Sequence, residues 1–103
     1  MFEKHSDDGY AVALEGVELK TLAHGEKTLM AKFLLKKGSR IPPHSHPHEQ
    51  TGYLLKGSIR LSIGSQKNEV KPGDAWCIAG DVEHGAEVME DSVASEGSAL
   101  VTF

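Results

Sequence analysis

The clearest pattern in the chain is the strict alternation of apolar and polar residues over residues 58–63. Ile59, Leu61 and Ile63 fall on one face, as a strand with a single buried face requires. The neighbouring segments 51–55 and 66–70 have a similar pattern, and turns are expected at Lys56-Gly57 and Gly64-Ser65. We therefore predict a three-strand meander here. Further strands are predicted over residues 17–23, 28–35, 75–79 and 84–89.

Glycine recurs 11 times and cuts the chain into segments too short for substantial helices. Short strands separated by turn residues, such as Lys71-Pro72-Gly73-Asp74, are typical of a sandwich or barrel. The sequence contains no internal repeat, low-complexity tract or linker. It therefore predicts one all-β domain over residues 1–103.

Composition narrows the possible partners. The chain has 103 residues, a formal net charge of -4 and no basic run, which argues against nucleic acid or an anionic membrane as partner. No stretch approaches the roughly 20 apolar residues of a membrane span. Cys77 is the single cysteine, so we expect a cytoplasmic location. A short chain buries limited surface, so a homodimer is also expected.

The segment His44-Ser45-His46-Pro47-His48-Glu49-Gln50 concentrates metal-binding side chains. On a strand, the spacing of His44 and His46 directs both rings to the same side. Gln50 follows a short bend and can return to the same point, and His84 follows a glycine-containing loop. Each histidine alone is more often an exposed residue, but together the four residues predict a metal site.

These residues also carry a resemblance to the cupins, whose first motif is G-x5-H-x-H-x3-E-x6-G. Residues 38–57 read GSRIPPHSHPHEQTGYLLKG, with Gln50 in the place of the motif's glutamate. The second motif begins at Gly73 and includes His84. The resemblance implies a double-stranded β-helix, or jelly-roll barrel, with one divalent metal held by His44, His46, Gln50 and His84.

Within that family the chain is similar to the small cupins of pectin degradation, which open cyclic unsaturated uronates to linear keto-uronates. The resemblance implies three histidines and a glutamine on the metal, and it places Glu96 near the catalytic acid. No arginine follows Glu96 in this sequence, although those relatives carry one.

A neutral glutamine ligand leaves the charge of a divalent metal uncompensated, so we expect the site to favour a small anionic molecule that carries a carboxylate. Imidazole and amide oxygen suit manganese, iron, nickel, cobalt or zinc. We therefore expect a metal-dependent isomerase acting on a sugar acid, with Glu96 moving a proton. A cupin dioxygenase, or a non-enzymatic module that binds metal or a small ligand, is the alternative.

Other residues have simpler interpretations. His48 and Glu49 are read as exposed bend residues, with orientation of the ligand imidazoles as the alternative. Arg60 either holds a substrate carboxylate or lies on a solvated strand face. Tyr53 and Leu55 should point outward, where a dimer interface could cover them. His5 and His24 are expected at the surface, Trp76 and Ile78 in the core, and Cys77 as an inert thiol.

Overall fold

The computed structural model describes residues 1–99, in which eight strands follow an irregular segment at residues 1–10. Among these residues no helix is long and apolar enough to cross a membrane. The strands are β1 (Ala11–Leu14), β2 (Val17–His24), β3 (Thr28–Leu35), β4 (Arg40–His44), β5 (Gln50–Ile63), β6 (Gln66–Val70), β7 (Ala75–Ile78) and β8 (His84–Ala99).

The two longest strands, β5 and β8, pair antiparallel along nearly their whole length. The first half of β5 lies between β7 and the second half of β8, which in turn pairs with β3 and extends the sheet to β2 and β1. The second half of β5 lies between β6 and the first half of β8, which pairs with β4. The sheet therefore folds back on itself, and the predicted all-β jelly roll is confirmed.

Alternating residues of these strands form a single apolar core. Leu54 has no exposed surface and Ile59 is 3% exposed, so the inward faces predicted for both halves of β5 are confirmed. Trp76 packs against this core, as expected. The buried cluster comprises Val17, Leu35, Leu54, Ile59, Leu61, Val70, Ala86, Val88 and Ala94.

The prediction of a turn at Lys56-Gly57 is wrong. Segments 51–55 and 58–63 form one continuous strand, β5, and neither pairs with the other, so the predicted three-strand meander is absent from the described residues. The register of β5 against β8 shifts three times between Leu54 and Ile59. A glycine that follows a lysine fits a β-bulge as well as a turn. The extra residue that a bulge adds to one strand changes which alternate positions of that strand face inward.

Gly57 and Ser92 hold this bulge. Gly57 has a φ of 97°, and a Cβ built there would lie 2.1 Å from Ser92 Oγ. The buried Ser92 hydroxyl accepts a hydrogen bond from the Ser58 amide at 3.0 Å and donates to the Glu90 carbonyl at 2.7 Å. The hydroxyl therefore satisfies backbone groups that the bulge leaves unpaired.

Other boundaries also differ from expectation. Strand β8 continues to Ala99 rather than ending near residue 89, because pairing with β3 and β5 extends it through polar residues. Strands β1 and β4 were not predicted. The β4 segment includes Pro42 and Pro43, and it lies at a sheet edge where missing amide donors are tolerated.

Substitution of Gly57 tests the bulge. We expect Gly57→Ala to lower the free energy of unfolding by about 3 kcal/mol, because the new Cβ meets both a positive φ and the Ser92 side chain. Gly73→Ala is the matched control, since Gly73 also has a positive φ of 94° but no atom near its Cβ position. It should cost only about 1 kcal/mol. Equal losses in urea unfolding would contradict the close packing at Gly57.

Candidate metal centre

Three histidines meet at one end of the barrel. His44 is the last residue of β4 and pairs with His84, the first residue of β8. His46 lies in the loop that follows β4, not on the strand assumed from its spacing. One ring nitrogen from each histidine lies within 4.8 Å of the others. The three are thus positioned to bind a metal ion, with His44 exposed, His46 half-buried and His84 buried.

Backbone carbonyls fix the orientation of all three rings. Nδ1 of His44 lies 2.9 Å from the Pro42 carbonyl, Nδ1 of His46 lies 2.9 Å from the His48 carbonyl, and Nδ1 of His84 lies 2.9 Å from the Val82 carbonyl. A carbonyl can only accept, so each Nδ1 carries the proton. Each Nε2 therefore presents its lone pair, which is the arrangement that metal-bound histidines use.

The Nε2 atom of His84 gives the strongest indication that the three histidines fit a metal ion. It is buried and has no hydrogen-bond partner among the described residues. Burial lowers the pKa of His84, and the neighbouring histidines lower it further, while the bond to the Val82 carbonyl opposes them. The ring is held in the neutral form that a divalent metal requires.

Contacts between two loops hold His46 in place. The Asp81 amide donates to the His46 carbonyl at 2.8 Å. Gly80 allows the close approach, because a Cβ there would lie 2.3 Å from the Pro47 carbonyl oxygen. The His48 ring stacks on the His46 ring, with centroids 3.9 Å apart and planes inclined by 6°. Reading His48 as an exposed bend residue was therefore wrong: it is half-buried and orients His46.

Gln50 and Glu96 contact each other, and Glu96 lines the same cavity as His44. Gln50 is the first residue of β5 and is 8% exposed, and its Nε2 donates to Glu96 Oε2 at 3.2 Å. A carboxylate acceptor turns the amide nitrogen of Gln50 toward Glu96 and its carbonyl oxygen away. Burial raises the pKa of Glu96 to about 7. At neutral pH this carboxyl group is therefore suited to both accepting and donating a proton.

A cavity of about 400 Å³ adjoins this cluster and opens between β1 and β4. Its lining includes His44 and Glu96, and the other lining side chains are apolar. No lysine or arginine lines it among residues 1–99. Arg60 lies elsewhere, in an ion pair with Glu69 at 2.6 Å and a longer one with Glu87, so it occupies the solvated strand face.

Several other expectations are confirmed. Glu49 is exposed in the bend, and His5 and His24 are exposed at the surface. Trp76 and Ile78 face inward as expected, with the exposed Cys77 between them, and the inertness of the Cys77 thiol stays a prediction.

A sequence profile of the family described as "Cupin domain" matches residues 31–96. The chain belongs to the cupin family. This assignment confirms the resemblance carried by the two motifs, which both lie within the matched segment.

The chain is similar to one curated pectin degradation protein and to several solved cupin structures. The pectin degradation protein KdgF of Dickeya dadantii is 30% identical over 88 residues, covering 84% of this chain and 76% of the relative. The structure of KdgF from Halomonas sp. superposes with a TM-score of 0.92 at 24% identity, covering 99% of this chain and 94% of that one. A cupin described as RmlC-like, from Shewanella frigidimarina, gives a TM-score of 0.91 at 18% identity, covering 97% and 90%.

Two features of the site differ from the favoured sequence interpretation. The stacking of His48 on His46 agrees with the alternative interpretation of His48, and it depends on the path of the bend. The cavity walls include Leu14 and Ile41, which come from strands that were not predicted. No local pattern marks these residues, because only strand pairing brings them to Glu96.

Metal binding can be tested by measuring how zinc changes the stability of the protein against unfolding. Zinc at about 100 times its dissociation constant should raise the free energy of unfolding by about 2.7 kcal/mol. His84→Ala should abolish both this increase and the bound zinc, because His84 supplies a buried donor. His24→Ala, which changes an exposed histidine outside the cluster, should leave both intact. Thermal unfolding and metal analysis measure the two quantities, and an unchanged zinc content in His84→Ala would contradict the assignment.

Proposed function

We propose that this cupin binds one divalent metal through His44, His46, Gln50 and His84 and opens the ring of a cyclic carboxylated sugar such as an unsaturated uronate. The observation that carries this proposal is the position of Glu96, which touches Gln50 and lines the cavity beside His44. An ionisable carboxyl group with a pKa near 7 thus adjoins both the metal centre and the space for a ligand.

Charge supports a carboxylated substrate. Three neutral imidazoles and one amide oxygen would leave the charge of a divalent metal uncompensated. The cavity contains no lysine or arginine among the described residues, so the metal is the cation available to a substrate carboxylate there. When bound, a manganese, iron, nickel, cobalt or zinc ion would supply Lewis acidity at this point.

Glu96 can carry the proton that ring opening requires. The anomeric hydroxyl gives its proton to a base as the bond between the anomeric carbon and the ring oxygen breaks, and the former ring oxygen takes up a proton, giving an aldehyde and an enol. The enol becomes a ketone when the neighbouring carbon gains a proton and the hydroxyl loses one. The overall change is an isomerisation without oxidant or reductant, and Glu96 can both accept and return a proton. Its bond to Gln50 holds the carboxyl group in place.

A linearisation assay tests the activity. Metal-loaded protein should accelerate the loss of cyclic unsaturated galacturonate, followed by NMR, and protein treated with a chelator should not. Glu96→Gln should lower kcat by about 10²–10⁴-fold, because the amide cannot exchange the proton. Glu49→Gln, a change in the exposed bend beside Gln50, should leave the rate intact.

The same assay separates the alternatives. An unchanged rate with and without protein would refute the isomerase proposal. Oxygen consumption by the iron- or manganese-loaded protein would instead support a dioxygenase. Metal-dependent ligand binding without turnover or oxygen uptake would support a binding module.

A cytoplasmic location remains a prediction. We also propose that the chain forms a homodimer through the outer face of the sheet. Tyr53 is 46% and Leu55 is 49% exposed on β5, and Met30 is exposed on the same outer face of β3. A second copy of the chain would cover this apolar surface.

Sedimentation velocity tests the dimer. Wild-type protein should sediment as a dimer and Leu55→Lys as a monomer, because a buried lysine would be unpaired in the interface. Met89→Lys, at an exposed position on β8, is the control and should remain dimeric. A monomeric wild-type protein, or a dimeric Leu55→Lys variant, would contradict this interface.

A further inference from the structure

The cavity beside the metal centre is polar at one end and apolar along its walls. His44 and Glu96 provide the polar end, and both belong to the proposed site. Its volume of about 400 Å³ suits a small ligand, since binding pockets span roughly 300–1,000 Å³. The apolar walls are formed by Leu14, Val17, Phe33, Ile41 and Pro43.

The walls provide few hydrogen bonds to a ligand. Their side chains carry no polar atoms, and Pro42 and Pro43 have no backbone N–H. The Pro42 carbonyl already accepts the Nδ1 proton of His44. A ligand hydroxyl placed against these walls would lose its bond to water without gaining a protein partner, which weakens binding.

We propose that Leu14, Phe33 and Ile41 determine specificity by favouring cyclic acids with a flat, hydroxyl-poor ring over fully hydroxylated sugar acids. This inference rests on the proposed function and names the ring feature that the site selects. An unsaturated uronate has lost one ring hydroxyl and is flattened at its double bond, so it presents an apolar edge. A saturated uronate carries the same carboxylate for the metal but presents a hydroxyl at that edge.

A binding experiment with unreactive probes tests this selection. The first probe is a dihydropyran carboxylate in which the carbon that bears the carboxylate is one of the two carbons of the ring double bond, as in an unsaturated uronate. It has no hydroxyl groups and therefore cannot be opened. The second is D-galacturonate. Calorimetric titration of the zinc-loaded protein should give binding of the dihydropyran acid about tenfold or more tighter than that of galacturonate, and both titrations should require zinc.

Matched substitutions on β1 test whether the cavity wall causes this preference between the two acids. Leu14 lines the cavity and is 42% exposed, so Leu14→Asn should fold. Its amide can bond to a hydroxyl, and the preference should fall to about threefold or less. Val12→Asn changes a residue on the same strand that is 72% exposed and outside the cavity, so the preference should persist. Phe33→Tyr adds a hydroxyl to the wall with little change in volume and should also reduce the preference.

The outcomes distinguish this inference from the proposed function. Zinc-dependent binding of both acids with equal affinity, or tighter binding of galacturonate, would overturn the selection and leave the proposed function standing. Equal loss of preference in Leu14→Asn and Val12→Asn would also overturn the assignment of the walls. Failure of both acids to bind the zinc-loaded wild-type protein would overturn both proposals.

Discussion

The antiparallel pairing of β5 with β8 is the interaction on which both the barrel and the candidate site depend. It runs from Gln50 opposite Ser98 to Ile63 opposite His84. Gln50 begins β5 opposite Ser98 and Ile78, and His84 begins β8 opposite Ile63 and His44. The same pairing therefore fixes the start of each strand, where a candidate ligand lies.

This pairing also explains why glutamine rather than glutamate is suited to position 50. Gln50 and Glu96 are neighbours across β5 and β8, and the amide donates to the carboxyl group. A glutamate at position 50 would place two carboxyl groups at hydrogen-bonding distance in a partly buried site, where both could not easily be ionised. The neutral amide allows Glu96 to keep its own proton equilibrium.

Much of the site could be predicted from the sequence because its signals are local. His44, His46 and Gln50 have the spacing of a metal-binding motif, and His84 has the expected context in the second motif. The strand alternation on each side of Gly57 was also readable, but the bulge between them was not, because its lysine–glycine pair equally fits a turn. The contact of Glu96 with Gln50 could not be read from spacing, since 46 residues separate them. The apolar walls likewise depend on the pairing of edge strands.

The orientation of the three imidazole rings is the central claim of this account. Each ring donates its Nδ1 proton to a backbone carbonyl, and this leaves three Nε2 atoms to bind one ion. A crystal structure of the zinc-loaded protein, with the ion located by anomalous scattering, tests this most directly. We expect a single zinc ion about 2.0–2.1 Å from Nε2 of His44, His46 and His84, with the carbonyl contacts retained. Zinc bound through Nδ1, or bound away from these histidines, would contradict it.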